Sequence, residues 1–265
     1  MSRISLVVVL LFSMIYTKER YRSWAYVAAD QSGRYYLKSE PRVQSPLTTV
    51  GYTTVYQVRE HNDRELARYN WFCGDLSIYV EEDTVYVLCR DRIQAGIGID
   101  SHDGDRPGPV ITPYVSGQYY IKSIPKSTAE YSSIGYTIAY RVEQYADREI
   151  VRYNWYCRDL YLFSINDSLF AVRLNSTHQG TAANYSDVAV AFYHNERKIK
   201  EYSTLAIAYK AFNVLKGDFS YSVIAAAPEL MFYDAPGPQE CVFTIMTVDH
   251  RYLHFDVRTG EMLDE

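Results

Sequence analysis

The residues in this chain best suited by type and spacing to chemistry are carboxylates set close to aromatic side chains. Asp63, Glu65 and Asp75 recur further on as Asp147, Glu149 and Asp159. Two carboxylates at a suitable separation are enough for glycoside hydrolysis, one as acid and the other as base or nucleophile. Each of these six falls at a strand end or turn, where Asp hydrogen-bonds its own backbone, and a single active site has little use for its acid twice. Turn formation is therefore the better account of them. Six histidines are present, His61, His102, His178, His194, His250 and His254. None has the HxH or HxxxH spacing of a zinc site, and Tyr145 replaces His61 in the second copy, which excludes a ligand role common to both. Asp100-Ser101-His102-Asp103-Gly104-Asp105 offers three carboxylates and a Gly, but the sixth position, where an EF-hand loop needs Gly, is Asp105. An acidic linker ending at Pro107-Gly108-Pro109 explains it better. Neither a serine elbow, a P-loop, a dinucleotide fingerprint nor a CxxC pair occurs. Cys73 and Cys157 each follow an aromatic residue and read as small buried hydrophobes. On this reading the chain carries no catalytic residue, no metal and no cofactor.

The elements that hold these residues are duplicated. Gly33-Arg34-Tyr35-Tyr36-Leu37-Lys38-Ser39 returns as Gly117-Gln118-Tyr119-Tyr120-Ile121-Lys122-Ser123. Gly51-Tyr52-Thr53 returns as Gly135-Tyr136-Thr137, and Asp63-Arg64-Glu65 as Asp147-Arg148-Glu149. Arg68-Tyr69-Asn70-Trp71 returns as Arg152-Tyr153-Asn154-Trp155, with Cys73 and Cys157 behind them. Every pair has the offset of 84 seen between Gly33 and Gly117, without a gap, so this is a tandem duplication. Residues 24–107 form the first copy, 108–191 the second, and 192–265 a C-terminal β segment expected to complete one compact unit.

Within each copy the pattern is that of strands. Thr54, Tyr56 and Val58 alternate with Val55, Gln57 and Arg59, the period of a half-buried strand. Leu76 to Tyr79 and Val85 to Cys89 form a hairpin about Glu81-Glu82-Asp83-Thr84, and Leu160 to Phe163 with Leu169 to Arg173 form its counterpart. After Asn175 the period is lost. His178 to Ser186 reads as a polar loop, and the three acceptor patterns at Asn166, Asn175 and Asn184 agree with an exposed span. One helix is expected, capped by Ser203, with Leu205, Tyr209 and Phe212 on one face and a stop at Gly217. Cys73 and Cys89 flank the first hairpin and could approach within the ~4.4 to 6.8 Å Cα separation of a disulfide. Cys157 has Arg173 where that partner would stand, leaving it free or paired with Cys241. Four free buried thiols are the alternative.

The C-terminal run Asp249-His250-Arg251-Tyr252-Leu253-His254-Phe255-Asp256-Val257-Arg258-Thr259-Gly260-Glu261 resembles the strand, turn and strand that end blades of quinoprotein-like and other repeat-type β-propellers. The resemblance implies an 84-residue unit holding two blades, since blades run ~40 to 50 residues. The loss of period after Asn175 departs from that pattern, and an irregular β-sandwich is the other architecture these strands allow. The expected fold class is all-β: tandem-duplicated antiparallel sheets, β-propeller-like or sandwich, with at most one short helix.

Composition narrows the partners. The 265 residues carry 27 Lys and Arg against 32 Asp and Glu, a net charge of -5, with no block of five like charges, so nucleic acid is excluded for want of a basic footprint. Twenty-seven Tyr against 10 Phe and 3 Trp suit strands. Arg3 followed by the apolar run from Ile4 to Tyr16 reads as a signal peptide, or an N-terminal anchor, within residues 1–23. That segment is the only membrane contact expected, and it implies a secreted or periplasmic protein. The expected function is non-catalytic recognition of an unknown protein or carbohydrate ligand, with a carbohydrate-active hydrolase as the alternative. Asp63, Arg64, Arg68, Tyr69 and Trp71, with Asp147, Arg148, Arg152, Tyr153 and Trp155, are either its interaction surface or core. Read as core, the aromatics fill the space between sheets while the arginines pair with Asp63 and Asp147.

Overall fold

The computed structural model describes residues 25–44, 49–99, 108–113, 118–127, 133–143, 146–165, 168–175, 177–179, 184, 186–210, 214–216, 220–233 and 240–263. The export segment within residues 1–23, the acidic run Asp100 to Asp105, Asn166 and Phe212 lie outside them. The fold is all-β with a single short helix among the described residues. Contacts divide the chain into two compact units. The first draws on Met1–Ser101, Ser116–Gln118 and Val142–Arg148, the second on His102–Val115, Tyr119–Arg141 and Glu149–Glu265.

In the first unit, strands β1 (Tyr26–Ala29), β2 (Tyr35–Gln44), β3 (Thr49–Gln57) and β4 (Arg64–Tyr69) make an antiparallel sheet in sequence order. β5 (Leu76–Glu81), β6 (Thr84–Cys89) and β7 (Arg92–Gly98) make a second, three-stranded one. Period-two alternation puts Leu37 and Val55 of the first sheet against Leu76, Ile78, Val85 and Val87 of the second. A disulfide joins Cys73 to Cys89 with the Cα atoms 6.2 Å apart. A loop of that length restricts the unfolded chain by about 3 kcal/mol on the entropy model.

The second unit repeats this plan and adds to it. β8 (Val110–Pro113), β9 (Tyr119–Pro125), β10 (Gly135–Arg141) and β11 (Arg148–Tyr153) form a sheet matching the first unit's β1 to β4. β12 (Asp159–Ile165) and β13 (Ser168–Leu174) match the β5–β6 hairpin. Beyond the duplicated part come β14 (Thr177–Gln179), β15 (Val188–His194), β16 (Arg197–Ser203), helix α1 (Thr204–Ala208), β17 (Leu215–Lys216), β18 (Ser220–Ser222), β19 (Ile224–Tyr233), β20 (Glu240–Thr247), β21 (Tyr252–Asp256) and β22 (Met262–Leu263). The sheet β12-β13-β15-β16 is buried on both faces. Leu160, Leu162, Ala171 and Tyr193 pack on Ile121, Ala139 and Val151, while Phe163, Phe170, Val172 and Phe192 pack on Phe243, Ile245 and Phe255.

The same clasp occurs within each copy. Where the chain crosses from β4 to β5, the Cys73 N–H donates to Ser39 Oγ (3.3 Å), Ser39 Oγ lies 2.9 Å from Thr53 Oγ1, and Thr53 donates to the Trp71 carbonyl (2.9 Å). Because the Thr53 proton goes to Trp71, the Ser39 hydroxyl is the donor between them. Cys157, Ser123, Thr137 and Trp155 repeat the relay at 3.1, 2.7 and 2.7 Å. Gly51 and Gly135 let the crossing segment pass close over the sheet, since a Cβ there would stand 2.1 Å from the Glu40 carbonyl oxygen and 2.2 Å from that of Ile124.

Three local expectations are corrected. Ser203 does cap α1, accepting from the Ala206 N–H, but the helix ends at Ala208 because Tyr209 takes a φ of 62°. Its buried side chains are Thr204, Ile207 and Ala208, whereas Leu205 and Tyr209 are exposed. His178 sits in β14, paired with β18, not in a loop. Asn175 is half-buried and its Nδ2 donates to the Val188 carbonyl at 2.7 Å, so only Asn184 of the acceptor asparagines is seen exposed. A turn forms from Asp256 to Glu261: Gly260, at φ 69°, donates to the Asp256 carbonyl, and the Asp256 N–H to that of Glu261. Of the propeller resemblance the structure bears out the all-β, antiparallel character.

Candidate functional site

The duplicated Arg-Tyr-Asn-Trp strands separate into core and surface. Tyr69 stacks on Trp71 (centroids 5.6 Å apart) against the first unit's core. Tyr153 stacks on Trp155 at 4.7 Å against the second's. Tyr153 is buried, its hydroxyl donating to the Asn195 carbonyl (2.6 Å), and burial holds that phenol well above its ordinary pKa. The guanidinium of Arg173 covers the Trp155 ring from 5.1 Å. Tyr153 is thus part of the core, and Tyr69, Trp71 and Trp155 are partly buried against it.

Arg68 and Arg152 pair with glutamates three residues away. Arg68 Nη2 meets Glu65 at 2.8 Å and Arg152 Nη2 meets Glu149 at 2.7 Å, both pairs exposed. A bulge in β4 is the reason in the first copy. Tyr56 faces Glu65 and Val55 faces Ala67, so Leu66 is an extra residue, and positions three apart come to one side. Asp63 accepts from the Arg59 N–H and the Tyr36 hydroxyl. Asp147 accepts from the Glu143 N–H and from Lys38 at 2.8 Å. Lys38 is nearly buried, and Glu40 stands 3.2 Å from its ammonium. Burial alone would lower its pKa, but the hydrogen bond and charge of Asp147, with Glu40, outweigh it and the net shift is upward. Arg64 is exposed, and Arg148 lies 3.5 Å from Glu143. The repeated carboxylates thus serve turns and ion pairs, and no cluster of metal-binding side chains occurs among the described residues.

Two other clusters were not singled out in the sequence. His178, buried beneath Tyr221 with ring centroids 5.0 Å apart, has Nδ1 3.9 Å from Asp187 and an Nε2 without a hydrogen-bond partner. The Tyr221 hydroxyl donates to Asp187 at 2.7 Å. Burial lowers the His178 pKa, against the pull of Asp187 and a backbone hydrogen bond at Asn175. A lowered folded pKa means that the neutral ring is favoured, so its stabilisation is whole above the unfolded value of ~6.5 and is lost as pH falls through the folded value. The melting temperature is therefore expected to drop between neutral and mildly acidic pH. A His178→Phe chain should show a smaller drop, and equal drops in scanning calorimetry would refute the assignment.

The second cluster is an open sheet face. The side of β5–β7 turned away from the core carries Tyr79 and Tyr86 stacked at 4.9 Å, with Leu88 and Ile93 beside them. Tyr79 is 37% and Ile93 58% exposed. The matching residues of the second copy, Phe163 (1%), Phe170 (7%) and Val172 (0%), are covered. What covers them is the sheet β19-β20-β21-β22, whose Phe243 ring lies 5.2 Å from Tyr161 and 6.3 Å from Phe163.

No family model and no curated protein matches the chain. Among solved structures, the crystal structure of the Saccharomyces cerevisiae Sqt1 aligns over 91% of this chain and 74% of its own at 7% identity, with a TM-score of 0.28, too slight a likeness to carry an argument.

Proposed function

We propose that this chain is an exported, non-catalytic recognition protein that binds its ligand through the outer face of β5–β7. One observation carries the reading: the duplicate of this face is covered by a protein sheet, whereas Tyr79 and Ile93 stand in solvent. Contiguous exposed apolar surface of this kind marks interaction sites, and aromatic side chains supply much of the binding energy in interfaces. The Cys73–Cys89 disulfide supports an oxidising compartment. The duplicate's own covering favours a protein ligand over a carbohydrate. The same reading takes the successive antiparallel sheets as blade-like repeats, the layout its C-terminal turn resembles.

A photo-crosslinking residue at position 79 of the full chain, expressed with its native N-terminus, is expected to capture protein. The same group at exposed Glu201 should capture none. Absence of adducts at 79 would overturn the assignment of the face. Sugar release from a glycan array by the purified chain would overturn the non-catalytic reading.

A further inference from the structure

A strand at the edge of a sheet offers unpaired backbone groups, and native chains guard it with charged side chains, proline or a covering strand. Three outermost strands of this chain are guarded by charge. β4 carries Arg64, Glu65 and Arg68, β11 carries Arg148, Glu149 and Arg152, and β16 carries Arg197, Lys198, Lys200 and Glu201. β7 lacks such a guard. From Ile93 to Gly98 it has neither a charge nor a proline, and among the described residues no strand pairs with it on the side away from β6.

The register fixes which backbone groups are open, because opposed residues of an antiparallel pair alternate between bonded and non-bonded. The Ile99 N–H donates to the Asp83 carbonyl, so Val85 with Ile97 and Val87 with Ala95 are bonded pairs, and Gly96 and Gly98 turn their N–H and C=O groups outward. Both glycines are exposed and bring no side chain of their own. Ala95 and Ile97 pack on the core, which places Gly96 on the outer side opposite Tyr86, where a Cβ would stand 3.5 Å from the ring.

In the second copy the same edge is occupied. β15 pairs with β13 as β7 pairs with β6, and β16 lies along its other side. His194 stands where Gly96 does: its ring stacks on Phe170, the counterpart of Tyr86, at 4.6 Å, and its backbone lies opposite Arg197 of β16. β16 is basic at that end and packs Ile199 and Tyr202 against the core. The first copy has the opposite charge there. Its β5–β6 turn exposes Glu81, Glu82 and Asp83.

Resting on the reading above that the β5–β7 sheet recognises a protein, we propose that it does so by strand addition. An extended segment of another protein, basic at its N-terminal end, pairs antiparallel with β7 in the place that β16 takes in the second copy. Main-chain hydrogen bonds to Gly96 and Gly98 hold the segment, its Lys and Arg side chains lie by the acidic turn, and a side chain passes over Gly96 to the Tyr86 ring.

A fluorescent peptide of the β16 sequence, Arg197 to Ser203, titrated against the full chain by anisotropy, tests this. Saturable binding is expected. N-methylation of the peptide at Lys200, whose counterpart in β16 pairs with Phe192, should weaken binding about tenfold by removing a main-chain donor. Glutamate at positions 197, 198 and 200 of the peptide should weaken it about as much by setting carboxylate against carboxylate. Gly96→Pro should also weaken it with melting unchanged, since proline is tolerated on an edge strand where the N–H faces solvent; should that variant fold poorly, the methylated peptide decides. In the free chain the Gly96 and Gly98 amides should exchange with deuterium rapidly, and in the complex slowly. No binding, equal binding by the methylated or the acidic peptide, equal binding to a folded Gly96→Pro chain, or slow exchange in the free chain overturns the proposal. If the group at position 79 still captures protein when the peptide fails, recognition by the face stands and strand addition falls. If it captures nothing, both fall.

Discussion

Alanine at Gly51 or Gly135 is expected to cost roughly 3 kcal/mol or more, at or above the upper end of ordinary overpacking. The added carbon would overlap a backbone carbonyl oxygen at 2.1 or 2.2 Å, and it would also press on Cβ of Phe72 (3.0 Å) or Tyr156 (2.7 Å). None of these atoms can swing aside as the end of a long side chain can. They belong to the paired strand and to the crossing segment that the hydroxyl relay holds down. Relief therefore requires either the strand pair to part or the relay to break. At ~2 to 4 °C per kcal/mol for a chain of this size, melting should fall by roughly 6 to 12 °C. Gly98→Ala, whose new carbon would meet nothing within 4 Å, is the control and should melt within a degree or two of the wild type. A Gly135→Ala chain melting with that control would show that the crossing segment does not lie where it is described.

Phe243→Ala should destabilise the second unit by about 3 to 5 kcal/mol, the range for large aromatic truncations in a core. The ring is fully buried and meets Phe163, Tyr161 and Phe192 at centroid distances of 6.3, 5.2 and 6.2 Å. Phe163→Ala should cost a similar amount. Its duplicate, Tyr79→Ala, should cost about 1 kcal/mol or less, since it removes one cross-strand aromatic pair from an exposed face. Denaturant titrations of the three variants check the contrast. Equal losses at positions 79 and 163 would mean that the first copy's face is also covered in solution.

The strands and the duplication were legible because each rests on a period. Alternation shows through any single sequence, and an offset held across forty residues leaves no rival. The disulfide could be read because its cysteines bracket one hairpin, and Cys157 is indeed left free and buried, its thiol pushed up to about 11 by burial. The helix was misjudged because the apolar spacing of Leu205 and Tyr209 looked like a buried stripe. The chain turns left-handed at Tyr209, and the core takes Ile207 and Ala208 instead. The Arg68 and Glu65 pair was missed because strict alternation assigns residues three apart to opposite sides, and one bulge reverses that. The open face went unnoticed for another reason. Comparing copies for what they share points to the clasp, whereas the surface that distinguishes them lies in what they do not share: Ser77 for Tyr161, Tyr79 for Phe163, Glu81 for Ile165.

The covered face of the second copy also orders events during synthesis. Domains fold broadly from the N-terminus as the chain emerges. Everything the first unit uses has been made by Arg148. The sheet carrying Phe163, Phe170 and Phe192, by contrast, has its lid in Phe243, Ile245, Phe255 and Val257. Until those last residues leave the ribosome, three phenylalanines and their neighbours face outward with nothing to bury them. The nascent chain thus passes through a stage at which one half is finished and the other is at its most adhesive, and the final strands end the exposure.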